Sequence, residues 1–293
     1  MNRASQVARR TGGLTLIELL IGLSLALIVL TAAFSVFISS SQAASEIQTR
    51  NDLRSELQIA QNYLAAQVRE AVYVFPKGTA LQLGTGTGYT TKRPSAGAWR
   101  VGDDAAPILA FIKPPADVTV SCASDDNGCY TFYAYYPVLR SWWVSKAGGA
   151  NNPGQDAQNQ DRWLLVEFRA NFVPPSTLNP ADAKAFRPSL SAINSASPYN
   201  PPSAGQSGRL LLDYVRPPAL APAGAPALFM QQDAPAPSTL QTPGSVSVSV
   251  NLAVSRQIRG KVLQVPGQNA ATPPAETVQT ITVFPRNLGS LAP

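Results

Sequence analysis

The sequence predicts an α+β protein: a long N-terminal helix, membrane-spanning in its first half, packed on an antiparallel β-sheet domain with proline-rich loops. Two observations carry this. From Leu14 to about Val72 apolar residues either run unbroken or recur at helical spacing. Beyond Pro76 the chain changes to short β-branched and aromatic runs separated by Gly, Pro, Asn and Asp. The chain therefore divides into a basic segment (1–13), a helix (14–75) and an extracytoplasmic β-rich domain (76–293).

The helix opens on its most apolar part. Leu14 to Ile38 is 25 residues with one ionisable side chain, Glu18. At 1.5 Å per residue such a helix spans roughly 37 Å, enough to cross a bilayer core of about 30 Å. Arg3, Arg9 and Arg10 precede it, and positive charge favours the cytoplasmic side, so the rest of the chain is expected outside. A carboxylate inside such a span costs a few kcal/mol unless it reaches the interface or meets a cation.

Gly13 followed by Leu14-Thr15-Leu16-Ile17-Glu18-Leu19 resembles the prepilin-peptidase recognition sequence of type IV pilins and type II secretion pseudopilins. The resemblance implies a leader over residues 1–13, cleavage between Gly13 and Leu14, and N-methylation of Leu14. Glu18 matches the family's assembly glutamate, a counter-charge for the new amino group inside a fibre. The implied partners are other pilin or pseudopilin subunits, the prepilin peptidase and an inner-membrane assembly platform. The implied location is the inner membrane, single-pass with the N-terminus cytoplasmic, and then a pilus or pseudopilus. Two other readings start from the same run. A secretory signal peptide has Ser41-Gln42-Ala43 as a cleavage site but wants a shorter apolar core. A plain anchor explains the length and the arginines, but not Gly12-Gly13 or Glu18.

The helical pattern continues past the span. Ile47, Leu53, Leu57, Ala60, Leu64, Val68 and Ala71 form a stripe suited to a domain surface, and Pro76 supplies the stop. The expected strands are Pro107–Lys113, Val118–Ser121, Tyr130–Leu139, Trp163–Phe172, Arg209–Val215, Val246–Val254, Lys261–Val265 and Val278–Phe284. In Ser245-Val246-Ser247-Val248-Ser249-Val250 the alternation predicts valines inward and serines outward. Pro174–Pro202 and Pro217–Pro243 hold seven prolines each and read as extended surface loops.

Cys122 and Cys129 are the two cysteines of the chain. With six residues between them in an exported domain, they predict one local disulfide across a turn joining two strands. Without histidine they cannot complete a tetrahedral zinc site.

Little here supports catalysis. With no histidine, Ser-His-Asp and Cys-His nucleophiles are excluded. Gly84-Thr85-Gly86-Thr87-Gly88 lacks the Lys-Ser/Thr of a phosphate-binding loop and reads as a flexible connection. Asp125, Asp126 and Asn127 offer oxygens to Ca²⁺ but lack EF-hand spacing. No cofactor is expected. Arg3, Arg9 and Arg10 supply three of the 23 basic residues against 17 acidic, so the remainder carries +3, too mild to argue for nucleic acid. Tyr130, Phe132, Tyr133, Tyr135, Tyr136, Trp142 and Trp143, with Arg140 and Lys146, have two readings. They are sheet core with Trp142-Trp143 as an exposed tip, or a stacking surface for single-stranded DNA.

Two further stretches resemble the same family. Thr280-Ile281-Thr282-Val283-Phe284-Pro285-Arg286-Asn287 is similar to the closing strand and Arg-Asn ending of PilW-type minor pilins and PulJ-type pseudopilins. Leu64-Ala65-Ala66-Gln67-Val68-Arg69-Glu70-Ala71 is similar to their helix segment ending in Arg-x-Ala. Ser35 stands where many major pilins carry a proline, which puts their helix kink in doubt, and the proline-rich insertions favour a minor or initiating subunit. The implied function is a non-enzymatic structural subunit of a type IV pilus or type II secretion filament, acting in filament initiation. The alternative is a membrane-anchored extracytoplasmic protein that binds DNA or glycan without polymerising.

Overall fold

The computed structural model describes residues 15–83, 88–122, 126–174, 188, 198–202, 204–233, 245–269 and 271–288. The chain divides into two compact units at Thr49/Arg50. Helix α1 (Leu16–Arg69) forms the described part of the first and opens the second. The fold is a long N-terminal helix with an antiparallel sheet domain, as expected.

The second unit is built on a seven-stranded sheet. Its strands are β1 (Tyr73–Val74), β4 (Leu109–Lys113), β5 (Tyr130–Leu139), β6 (Trp163–Phe172), β7 (Ala204–Val215), β10 (Val254–Ile258) and β11 (Lys261–Val265), in that spatial order. A three-stranded sheet orders β12 (Gln279–Val283), β9 (Ser245–Leu252) and β8 (Phe229–Asp233). A small pair joins β2 (Ala80–Leu81) to β3 (Trp99–Arg100). The centre is the β5–β6 pair, ten residues in continuous register from Tyr130↔Phe172 to Leu139↔Trp163.

Alternation along these strands makes two cores. On one face Leu109, Phe111, Tyr135, Leu165 and Leu212 meet the helix stripe Leu53, Leu57, Ala60, Leu64 and Val68, with Val248, Val250 and Leu252 of β9 in the same cluster. On the other, Phe132, Ala134, Tyr136, Leu164, Val166 and Phe168 meet Phe75, Leu81, Trp99 and Trp143. A central strand buried on both faces explains why β5 carries aromatic residues on both, Phe132 and Tyr136 on one and Tyr133 and Tyr135 on the other.

Several expectations need correction. The helix ends at Arg69, seven residues before Pro76, because Val72 and Phe75 already donate to Ile112 and Ala110 at the sheet edge (2.8 and 3.0 Å). Val118–Ser121 is a turn, not a strand, and Val118 is exposed. The expected strand Val246–Val254 is two strands, the chain leaving the small sheet at Ala253 to join the large one. Arg259 and Gly260 then close the β10–β11 hairpin with φ of 51° and 81°, the positive pair that a two-residue turn of this hand needs. The second proline-rich stretch contains β8. Most of the first, and residues 234–244 of the second, lie outside the described residues.

The serine face of β9 also departs from the pattern. Ser245 and Ser247 are buried while Val246 is half-buried. A bulge at Gln232/Asp233 brings the Asp233 carboxylate over Ser245, whose Oγ donates to it at 2.6 Å.

Candidate functional site

The first described residues carry the most informative chemistry. Thr15 precedes the helix and Glu18 is its third residue, the spacing of a reciprocal cap. Thr15 N–H and Oγ1–H both donate to Glu18 Oε2 at 2.9 Å, and Glu18 N–H reaches back to Thr15 Oγ1 at 3.4 Å. The carboxylate thus takes up the backbone donor of Thr15 at the start of the helix, where the dipole favours an anion. Glu18 therefore has a partner at the helix start itself, where the sequence suggested an unpaired charge, and Thr-x-x-Glu is the pattern that carries it.

Beyond the cap, α1 is long and apolar enough to cross a membrane. From Leu16 to Ile38 its large apolar side chains are exposed on every face; Leu16 is 79% and Phe37 70% accessible. Two of the hydroxyls in this stretch are met within the helix. Ser24 Oγ donates to Ile21 O at 2.8 Å and Thr31 Oγ1 to Leu27 O, as an apolar surrounding demands. Gly13 and Leu14, the expected processing site, lie outside the described residues.

Past Thr49 the helix is tied to the sheets by polar contacts as well as by its stripe. Glu167 of β6 is buried, and its Oε2 accepts from Tyr63 Oη (2.7 Å) and Tyr135 Oη (2.8 Å). Arg209 Nη2 and Arg169 Nε lie 3.2 and 3.4 Å from Oε1. Burial, then the bond to Glu167, pushes the Tyr63 hydroxyl up to about 12. Tyr135 lies well above its ordinary value, through burial first and then the charge of Glu167. On the adjoining helix face Gln61 Nε2 donates to Gln279 O (2.9 Å) and Val250 O (3.4 Å).

The helix C-terminus is closed by Arg286 and Asn287. Arg286 N–H donates to Arg69 O at 3.0 Å, and Asn287 Nδ2 donates to Glu70 O at 3.3 Å. Lys113 Nζ adds a bond to Gln67 Oε1 (2.7 Å) and an ion pair with Glu70 (2.6 Å). Stretches read separately in the sequence therefore meet in space.

Cys122 and Cys129 form the expected disulfide, Cα atoms 4.5 Å apart. It leads directly into β5, but its far side is the 117–121 turn rather than a second strand. Asp117 organises that turn: its Oδ1 accepts from Thr119 Oγ1 (2.6 Å) and N–H (2.8 Å), which hold its carboxyl below the usual range. Asp125 and residues 84–87 lie outside the described residues. Among the described residues, no three His, Cys, Asp or Glu side chains come together as a metal site.

The aromatic run is core. Phe132, Tyr135, Tyr136 and Trp143 are fully buried and Tyr133 nearly so, leaving Tyr130 and Trp142 half-buried. Trp142-Trp143 is not an exposed tip. It lies in a short helix, α2 (Arg140–Lys146), with Trp143 Nε1 donating to Asn151 O at 2.7 Å. Arg140 is equally buried, its Nε on Asp213 at 3.0 Å, so it cannot neutralise a phosphate. Lys92 and Lys146 flank Trp142 at 5.4 and 5.6 Å.

Comparison with known protein families, curated proteins and solved structures gives no match.

Proposed function

We propose that the chain is a minor pilin or pseudopilin, a structural subunit of a type IV pilus or a type II secretion-like filament. The observation that carries the proposal is the capped helix from Leu16 to Ile38, apolar and exposed on all faces. Each large side chain there gains about 1.5–3 kcal/mol when removed from water, so this surface is covered in its working state. Lipid covers it first, with the domain on the extracytoplasmic side; the helices of neighbouring subunits cover it in the filament. The reading is also supported by the likeness of residues 13–19 to a prepilin processing site. The Arg69–Arg286 contact between two stretches that separately resemble the same class supports it further. In this role prepilin peptidase cuts after Gly13, Leu14 is methylated, and Glu18 turns from cap to partner of the new amino group as the subunit enters the fibre.

The test is intact-mass and N-terminal peptide analysis of membrane-extracted protein, with and without active prepilin peptidase. The expected mature chain begins at methylated Leu14 and is seen with the peptidase alone. A chain retaining residues 1–13 in both samples would overturn the reading in favour of a non-polymerising anchored protein. A start at Ala44 would mean a secreted domain instead.

A further inference from the structure

Three arginines of the domain are almost fully buried, and they differ in one respect. Arg140 pairs with Asp213 at 3.0 Å and Arg162 with Asp161 at 2.7 Å. Arg216, 8% exposed just after β7, has among the described residues no carboxylate within ion-pairing distance. Its Nη1 donates to Gln268 Oε1 (2.9 Å), and its Nη2 to Thr277 O (3.0 Å) and Oγ1 (3.2 Å). All three acceptors are neutral. They fix the planar fork without cancelling its charge. Withdrawal from water, with no anion to offset it, lowers the Arg216 pKa from its ordinary value. An unpaired buried charge is costly, and a ligand that supplies the missing anion recovers part of that cost.

Arg216 lines a cavity of about 310 Å³ that is otherwise poor in charge. Its walls are Trp163, Val278, Pro107 and the alanine- and proline-rich loop from Ala221 to Leu228. That loop is pinned by Asn251, whose Nδ2 donates to Ala227 O (2.6 Å) and whose N–H donates to Leu228 O (2.8 Å). Alanine and proline side chains lose little freedom on binding, so the wall stands ready-made. At about 30 Å³ per water-sized group the space holds roughly ten non-hydrogen atoms. Asp104, exposed at the lining, opposes a second negative charge.

The geometry points to a binding site for a small monocarboxylate with an apolar body, its carboxylate on Arg216 and its body between Trp163, Val278 and the 221–228 loop. A free organic acid and the C-terminal carboxylate of a peptide share this chemistry. The site is independent of whether the chain polymerises.

The probe is 4-fluorobenzoate, titrated into the detergent-solubilised full chain and followed by ¹⁹F line broadening above that in protein-free micelles. Saturable binding is expected, about tenfold weaker or worse for the neutral 4-fluorobenzamide and for Arg216→Gln. Because Arg216 also holds Thr277, Ala225→Phe serves as a second variant; it fills the cavity, leaves the guanidinium in place, and is expected to abolish binding in a folded protein. Displacement by acetyl-Ala-Leu bearing a free carboxylate assigns the site to peptide ends; displacement by small acids alone assigns it to free acids. Equal broadening by acid and amide, or binding unchanged in either folded variant, overturns the proposal.

Discussion

Arg286 donates its backbone N–H to the carbonyl of Arg69 at 3.0 Å, joining the last described turn to the C-terminal end of α1. A helix terminus leaves carbonyls without intrahelical partners, and here a distant segment meets one of them. Arg286→Pro removes the donor and is expected to cost about 1 kcal/mol, lowering the midpoint of thermal unfolding by roughly 2–4 °C. Asn287→Ala, at a longer and exposed bond, should cost less. Equal midpoints for wild type and Arg286→Pro would show that the contact contributes nothing.

Glu18 has two separable duties, the cap seen here and the charge pairing proposed for the filament. Glu18→Gln keeps an acceptor for Thr15 and removes the charge; Glu18→Ala removes both. Cleavage after Gly13 is expected to be intact in both, with incorporation into sheared fibres impaired in both. Normal incorporation of Glu18→Gln would confine Glu18 to capping.

Helix docking should dominate the stability of the second unit. Leu57 and Leu64 are fully buried against the sheets, so Leu57→Ala or Leu64→Ala is expected to cost about 2–5 kcal/mol. Exposed Ile59→Ala on the same helix should change stability by under about 0.5 kcal/mol. Urea unfolding of the three variants side by side makes the comparison.

Alkaline conditions should loosen the same interface. Tyr63 keeps its proton to about 12 in the folded chain against 10.0 ordinarily. Its contribution is therefore complete below pH 10 and is lost as pH rises towards 12. Urea midpoints should fall across that window, and fall less steeply in Tyr63→Phe. Parallel slopes would remove Tyr63 from the account.

Gly128 sits where the disulfide loop folds back on itself. A Cβ there would lie 2.6 Å from Val120 O and 2.9 Å from Cys122 N, both backbone atoms that cannot swing aside. Gly128→Ala is expected to destabilise the loop and slow closure of the 122–129 disulfide, measured as free thiol during refolding.

Much of this architecture was legible because its signals are local. The helix stripe, the ten-residue runs of β5 and β6, and the cysteine pair follow from periodicity and spacing within one segment. What escaped depends on partners far along the chain. Tyr73–Val74, Ala80–Leu81 and Trp99–Arg100 are two-residue strands, too short to show alternation. Phe229–Asp233 lay hidden in a proline-rich stretch and exists because Val248 and Val250 lie alongside it. Ser245 is buried against expectation because the Asp233 carboxylate, from strand β8, accepts its hydroxyl. The uncompensated charge of Arg216 left no trace in sequence, since unpaired and paired arginines read alike.

The tie between Gln61 and Gln279 spans 218 residues, and that between Asn287 and Glu70 spans 217. Closing loops of that length costs entropy before any contact rewards it, and rates fall as contacts become less local. The helix stripe can meet Leu109, Phe111, Tyr135 and Leu165 first, but Gln61 and Glu70 must wait for Gln279 and Asn287. The last helix ties to close are those made by residues 279–287, and until they dock that part of the helix is more open to aggregation and proteolysis.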